Sequence, residues 1–446
     1  MKLNHIIPGV LFAGLAVSAS AQTTEITITG ATAFRQATMQ AIYDAYTSVG
    51  ALGTAFNVCH DFTGDNLSQL IASNKAVFSG TFPGIAGTTV IRTSFNGSAE
   101  GLNAIAGNNN PTFLTAGALG TPGAVIKGST TTPTETLRPK FSFSDVYQSS
   151  TPVDNVVLQP AGSSKVGIVT FCMIANEGAP ADLTNVTIQQ ARALWANGLQ
   201  KLSLFTGDPN DTDYVFATGR NDGSGTRAAY LTEWTYGVAN LVNQYIATKN
   251  GTSGSTITKI TSVPANGVGT GNTETSGATN ASTLWGNTNV GNGGYSSSSA
   301  LRTVMGYTSA NVTVYDGTNQ DALIENANIL LLTFLSSADS LNAATAGGKI
   351  LSYNGVSVTP IAAVGSYLSS GFNEADFKKI ASGTYSAWSY QHLYYHGSLS
   401  ATETTWYNNM KSTWIPAGLQ TTSNGVRLSD LNVSRPDDGF PIVAPL

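Results

Sequence analysis

The sequence predicts an α/β fold with an open sheet that binds its ligand at one edge, and three observations predict it. A strand-like run, a Gly/Ser/Thr turn and a stretch of helical spacing follow one another at three places in the chain. Turns of that kind bring small polar residues to helix starts at the carboxyl edge of a sheet, where open α/β folds bind ligands. The 446 residues are 41% hydrophobic, enough to fill two or three domain cores.

Residues 1–21 read as a signal peptide. A short polar start precedes the apolar run Ile6 to Val17, and Ala19-Ser20-Ala21 offers a small-x-small cleavage pattern. The run is shorter than the roughly 20 residues a membrane helix needs, so no membrane insertion is expected. With cleavage after Ala21, the mature chain is expected in the periplasm or outside the cell. The first strand follows at Glu25 to Thr29, where β-branched residues alternate up to Gly30, and Phe34 to Tyr46 has helical spacing. The unit recurs as Thr89 to Phe95, the turn Asn96-Gly97-Ser98 and a helix Ala99 to Ala106. After a strand-like run Val166 to Ile174, it recurs as Tyr214 to Thr218, a Gly-rich turn and a helix Arg227 to Thr248.

Residues 107–137 and 250–299 are rich in Gly, Asn, Ser and Thr and read as surface insertions on a folded scaffold. As decoration, residues 250–290 are expected to be dispensable for ligand binding. In the tail from Ser400 to Leu446, Trp406, Tyr407 and Trp414 read as packing residues.

A net charge of −5 argues against nucleic acid or an acidic membrane surface as partner, so an anion site must be built locally. Cys59 and Cys172 lie far apart in sequence and are not expected to pair. A disulfide requires Cα atoms within about 7 Å. His60, His392 and His396 share no ligand spacing with carboxylates, so neither a metal nor another cofactor is expected. His392 and His396 lie in or next to the aromatic segment Trp388 to Tyr395 and read as structural.

The strongest local signal is Gly219-Arg220-Asn221-Asp222-Gly223-Ser224-Gly225-Thr226-Arg227, between a strand-like run and an amphipathic helix. Helix N-termini carry unsatisfied N–H donors and partial positive charge, which suits an anion. Ser224 and Thr226 add hydroxyls, Arg220 can hold two oxygens of a tetrahedral anion, and Asp222 is placed to pair with Arg220 and fix its rotamer. By pattern alone, an ordinary N-capping turn fits as well as an anion cradle.

The sequence Arg220-x-Asp222-Gly-Ser-Gly-Thr226 resembles the signature loop of the phosphate-binding proteins that serve phosphate ABC transporters. Ile28-Thr29-Gly30-Ala31-Thr32-Ala33-Phe34 resembles their N-terminal loop, Phe95-Asn96-Gly97-Ser98-Ala99-Glu100-Gly101 their serine loop, and Phe143-Ser144-Asp145 their strand-end Ser-Asp. Gly291-Asn292-Gly293-Gly294, Tyr353-Asn354-Gly355-Val356, Gly383-Thr384-Tyr385 and Trp388-Ser389-Tyr390 look like later landmarks. The resemblance implies a type II periplasmic-binding-protein fold, two α/β lobes joined by two crossover strands around a ligand cleft. Lobe 1 would comprise residues 22–165 plus 391–446, and lobe 2 residues 166–390 with the insertion at 250–299. The first lobe would contribute Thr32, Ala33, Phe34, Ser98 and Asp145 to the site, and the second Arg220, Ser224, Gly225 and Thr226.

The implied function is capture of inorganic phosphate without catalysis, by a monomer that passes it to an ABC-transporter permease. Asp145 would set the specificity, because a carboxylate only accepts hydrogen bonds. Hydrogen phosphate has a proton to donate and sulfate has none, so sulfate would face the carboxylate as anion against anion. Two departures bear on this. Phe34 and Arg35 stand where many relatives have a threonine and an aromatic residue, leaving Thr32 and the backbone N–H groups of 32–34 to serve. The two insertions also lengthen the chain. Other functions in reach are an oxyanion-binding or surface protein of the same fold without a transporter, and an exported phosphatase. The phosphatase lacks a visible metal cluster or activated nucleophile.

Overall fold

The computed structural model describes residues 23–444 apart from 120–122, 124–125, 132, 161, 251–254, 264–277, 280–292, 296, 317–318, 321–323, 325–327, 363–370 and 423–424. The expected signal peptide, the Gly291-Asn292 landmark and most of the second Gly-rich stretch lie outside the described residues.

The first part of the chain forms β1 (Thr23–Gly30), α1 (Arg35–Thr47), β2 (Phe56–His60), α2 (Leu67–Ala72), β3 (Lys75–Gly80), β4 (Thr88–Phe95), α3 (Ser98–Ala106) and β5 (Phe141–Ser144). A long strand, β6 (Lys165–Ala175), leads into α4 (Ile188–Asn197), β7 (Tyr214–Ala217), α5 (Gly225–Glu233), β8 (Tyr245–Lys249), β9 (Thr256–Ser262), α6 (Ser298–Met305), β10 (Thr308–Asp316), β11 (Ile329–Ser336), α7 (Ser337–Thr345), β12 (Lys349–Tyr353) and α8 (Glu374–Ala381). The chain returns along β13 (Trp388–Tyr395) and ends in α9 (Ala401–Asn409), α10 (Ile415–Thr421) and an extended tail.

One continuous sheet runs through the molecule, with β7, β11, β6, β13, β5, β1, β4, β3 and β2 as successive neighbours. Its middle decides where a ligand can sit. The second half of β6 pairs antiparallel with β11, so that Ser336 at the carboxyl end of β11 stands opposite Phe171. The first half pairs antiparallel with β13, and β13 pairs antiparallel with β5, placing Ser144 opposite His392. The carboxyl ends of the two halves therefore point toward each other across the midpoint of β6. β1 and β4 run parallel to β5's direction, and β7 runs parallel to β11, so four strand-to-helix turns open on that midline.

Each half has its own core. Ile26, Ile28, Phe34, Ile42, Phe78, Phe141 and Trp406 are buried together in the first. Phe171, Trp195, Tyr230, Trp234, Leu331 and Phe334 are buried together in the second. Two separate cores joined by β6 and β13 make the two-lobed, two-crossover architecture that the family resemblance implies. Among the described residues, no helix is long and apolar enough to cross a membrane.

Three expectations are corrected. The helix expected over Arg227 to Thr248 ends at Glu233; Thr235 and Gly237 take positive φ, and the β-branched run from Tyr245 enters β8 instead. The stretch 250–299 is not mere decoration. β9 lies between β8 and β10 in a second sheet and buries Ile257 and Ile260, so removing residues 250–290 would take out a central strand. The tail is also divided between the lobes. α10 packs on α1, whereas Val426 bridges Ile168 of β6, and Leu428, Val433 and Ile442 pack on the second core. The aromatic tail residue Trp406 is fully buried against Phe141 at 4.5 Å.

Cys59 and Cys172 are buried in different hydrophobic clusters, and burial pushes the Cys172 thiol up to about 12. His392 is fully buried, shares a 2.8 Å hydrogen bond with Ser164 Oγ, and is pushed down to about 3 by burial and the nearby Lys165 charge.

The final segment ties the lobes together. Arg435 Nη1 binds Glu233 Oε2 of α5 at 3.0 Å, while the Asp438 carboxylate accepts from Tyr147 N and Ser150 Oγ, each at 2.7 Å. Burial, with Asp437 adding repulsion, pushes the Asp438 carboxyl up to about 7. An unfolded aspartate titrates near 4. The native state thus binds the extra proton between these values, and stability falls as pH rises through that window. Asp438→Asn is expected to flatten the dependence of Tm on pH between about 4 and 7, which thermal melts across that range would measure.

Candidate functional site

The turn after β7 places Arg220 at the midline with its side chain fully buried. Its Nε donates to Tyr295 O at 2.9 Å, and its Nη1 donates to Ser298 Oγ at 2.7 Å and to Thr32 Oγ1 at 3.3 Å. Thr32 belongs to the first lobe, so the guanidinium already links the two. Burial pulls Arg220 down to about 10, against the nearby charges of Asp339 and Asp145, and it stays cationic at neutral pH.

Four residues later, Ser224 caps α5. Its backbone is extended, and its Oγ accepts from Arg227 N at 3.3 Å. Capping by a serine fixes the orientation of the first helical turn, whose N–H groups carry the positive end of the helix dipole. Gly225 and Thr226 begin the helix there. Thr226 Oγ1 donates to Asp145 Oδ2 at 3.3 Å.

Asp145 directly follows β5 and is 1% exposed. The hydroxyl of Ser98, first residue of α3, donates to Asp145 Oδ1, and Asp145 N donates to Ser98 Oγ at 3.2 Å. Burial pushes the Asp145 carboxyl up, opposed by Ser98, its own backbone N–H, the Arg220 charge and Thr226. A carboxylate held in this way is an acceptor-only group surrounded by donors.

The N-termini of α3 and α5 meet head to head. Gly97, at φ +124°, caps α3 in a conformation that L side chains rarely adopt, and Glu100 N donates to Gly223 O at 3.4 Å. A Cβ on Gly225 would overlap Asp145 Oδ1 and Ser98 Oγ, so this position demands glycine for space. Gly225→Ala is expected to keep the fold but weaken anion binding about 10- to 100-fold, from an overpacking cost of about 1–3 kcal/mol that falls on the closed site. Calorimetry alongside circular dichroism would separate the two effects.

The structure thus brings together Thr32, Ser98, Asp145, Arg220, Gly225 and Thr226, with Ser224 organising the helix start. Ala33 and Phe34 form a 3₁₀ turn before α1. The Phe34 N–H donates to Ala31 O at 3.3 Å, and its ring packs against Phe143 in the first core at 5.8 Å. Asp222 is buried and its charge acts on Arg227.

Sequence reasoning missed Tyr295 and Ser298, which help to aim Arg220, and the ion pair Arg302–Asp339 at 2.9 Å behind them. The available signal was Ser297-Ser298 directly before Leu301, Val304 and Met305, an N-cap ahead of an apolar helix face. Among the described residues, no group of three or more His, Cys, Asp or Glu could hold a metal ion.

No protein-family model matches the sequence, and no curated protein matches it. Among solved structures, the chain is similar to a substrate-binding protein of Clostridium perfringens assigned to phosphate ABC transport and solved with bound phosphate. The TM-score is 0.41 and the identity 11%, over 91% of this chain and 100% of that one. It is also similar to an ABC-type phosphate transport receptor of Vibrio cholerae, with TM-score 0.40 and 9% identity over 87% of this chain and 93% of that one.

Proposed function

We propose that this protein is an exported, non-catalytic solute-binding protein that captures inorganic phosphate between its lobes, for uptake through an ABC transporter. The observation that carries this reading is the buried meeting of Arg220, Thr226 and the α5 N-terminus with Ser98 and Asp145 at one point between two separately packed lobes. A tetrahedral anion there takes charge-assisted hydrogen bonds from the guanidinium and neutral ones from hydroxyls and helix N–H groups. Asp145 accepts a hydrogen bond from the O–H that hydrogen phosphate carries, which sulfate cannot supply.

Because the contacts come from both lobes, bound phosphate stabilises the closed arrangement relative to an open one. Ligand that binds only the native state also raises stability, by about 2.7 kcal/mol at a hundredfold excess over Kd. Thermal melts of residues 22–446 are expected to shift upward with phosphate and to stay in place with equimolar sulfate. No shift with phosphate would contradict the reading. The non-catalytic part is tested separately, by the expected absence of turnover of a chromogenic phosphate ester.

A further inference from the structure

Near the Arg220 cluster, the two lobes line a solvent-open cavity of about 330 Å³, walled by Gln36, Ser68 and Ala72 from the first lobe and Arg302, Ala338 and Leu341 from the second. Its position follows from α6. Ser298 touches Arg220 Nη1, and Arg302 comes four residues later in the same helix. Four residues is about one helical turn, a rise of roughly 5.4 Å. The cavity therefore lies about one turn of α6 from Ser298, with Gln36 of α1, just after the 3₁₀ turn that begins at Thr32, on the facing wall.

Two arginines stand at it, Arg302 in its wall and Arg35 next in sequence to Gln36, with Asp339 and Asp61 near them. Arg302 is paired with Asp339. Arg35, next to Gln36, is 8% exposed, and Nη1 donates to the neutral Asn74 Oδ1. Among the described residues, Arg35 Nε has no hydrogen-bond partner. The charges that act on Arg35 are those of Asp339 and Arg302 across the cleft and Asp61 on its own lobe. A desolvated guanidinium with a spare donor is costly unless an acceptor reaches it.

We infer that the site accepts a condensed phosphate, one terminal phosphoryl group lying against Arg220, Asp145 and the α5 N-terminus and the next reaching outward into the Gln36/Arg302 cavity beside Arg35. This rests on the phosphate reading above and narrows its substrate class. Asp145 favours a condensed phosphate over a phosphate monoester of similar size. A monoester loses its last phosphoryl proton near pH 6 and then faces the carboxylate as anion against anion. Inorganic pyrophosphate retains a proton at neutral pH and adds a second anionic group for the arginines.

The test is calorimetry at neutral pH on residues 22–446 with inorganic phosphate, inorganic pyrophosphate and glycerol 3-phosphate. It is repeated for Leu341→Trp and for Ser68→Trp, the latter an exposed position that spares the core. Pyrophosphate is expected to bind at least about tenfold tighter than phosphate, or about 1.4 kcal/mol. Both tryptophan variants should abolish that advantage without changing phosphate affinity. Pyrophosphate binding no tighter than phosphate, an advantage that survives both variants, or glycerol 3-phosphate binding as tightly as pyrophosphate would overturn the inference and leave the phosphate reading standing. If none of the three binds, the phosphate reading falls and takes this inference with it.

Discussion

Replacing Arg220 with alanine is expected to weaken phosphate binding by about 2–5 kcal/mol, on the order of 30- to several-thousand-fold, the usual cost of removing one partner of a buried charged hydrogen bond. The side chain is fully buried and fixed by Tyr295 O and Ser298 Oγ, so its fork enters the site with little rotamer freedom left to lose. Arg220→Lys separates charge from geometry. Lysine keeps the positive charge but has no planar fork, so it should recover only part of the lost affinity. Alanine also removes three hydrogen bonds, one of them between the lobes, so a thermal melt of each variant accompanies the titration. Titration of each variant with phosphate measures the loss, and an unchanged affinity in Arg220→Ala would remove Arg220 from the site.

Asp145→Asn is expected to collapse the discrimination between phosphate and sulfate. Asparagine has nearly the same shape, carries no charge and adds an N–H donor that can serve an unprotonated oxygen. Sulfate affinity should therefore rise about 10- to 100-fold, corresponding to about 1.4–2.7 kcal/mol of removed repulsion and gained hydrogen bonding. Phosphate affinity should fall, because its proton loses a charged acceptor. The pH dependence should change in step. In the native protein, sulfate is expected to bind better as pH falls and the raised Asp145 carboxyl becomes protonated, while in the variant that dependence should disappear. Sulfate titrations at two pH values on both proteins check this, and a sulfate affinity unaffected by the substitution would show that Asp145 does not face the ligand.

The sequence made some of this legible because the relevant groups are contiguous or periodic. Arg220, Ser224 and Thr226 share one turn, and the strands around Thr23–Gly30, Thr88–Phe95 and Lys165–Ala175 announce themselves through β-branched runs. Ser98 and Asp145 are 47 positions apart and join only because β4 and β5 both flank β1 and end at the same edge. That adjacency is a property of topology, reachable in advance only through the family resemblance. Ser298 and Tyr295 were hidden by composition. A Gly/Ser/Asn-rich stretch looks the same whether it decorates a surface or fills a site, and what decides is the pairing of Tyr295 with Arg220. The helix expected to reach Thr248 failed because apolar spacing alone cannot show where glycine and a left-handed threonine end it. The tail's return to the second lobe depends on Arg435 meeting Glu233, 202 positions earlier, which no local pattern signals.

The central claim is that a buried guanidinium, a helix N-terminus and an acceptor-only carboxylate together select a protonated tetrahedral anion. Calorimetric titration of residues 22–446 with phosphate and sulfate at neutral pH tests it most directly. The account predicts one phosphate bound per chain, with sulfate weaker by at least about 100-fold, or about 2.7 kcal/mol. No heat of binding with phosphate, or equal affinity for the two anions, would contradict it.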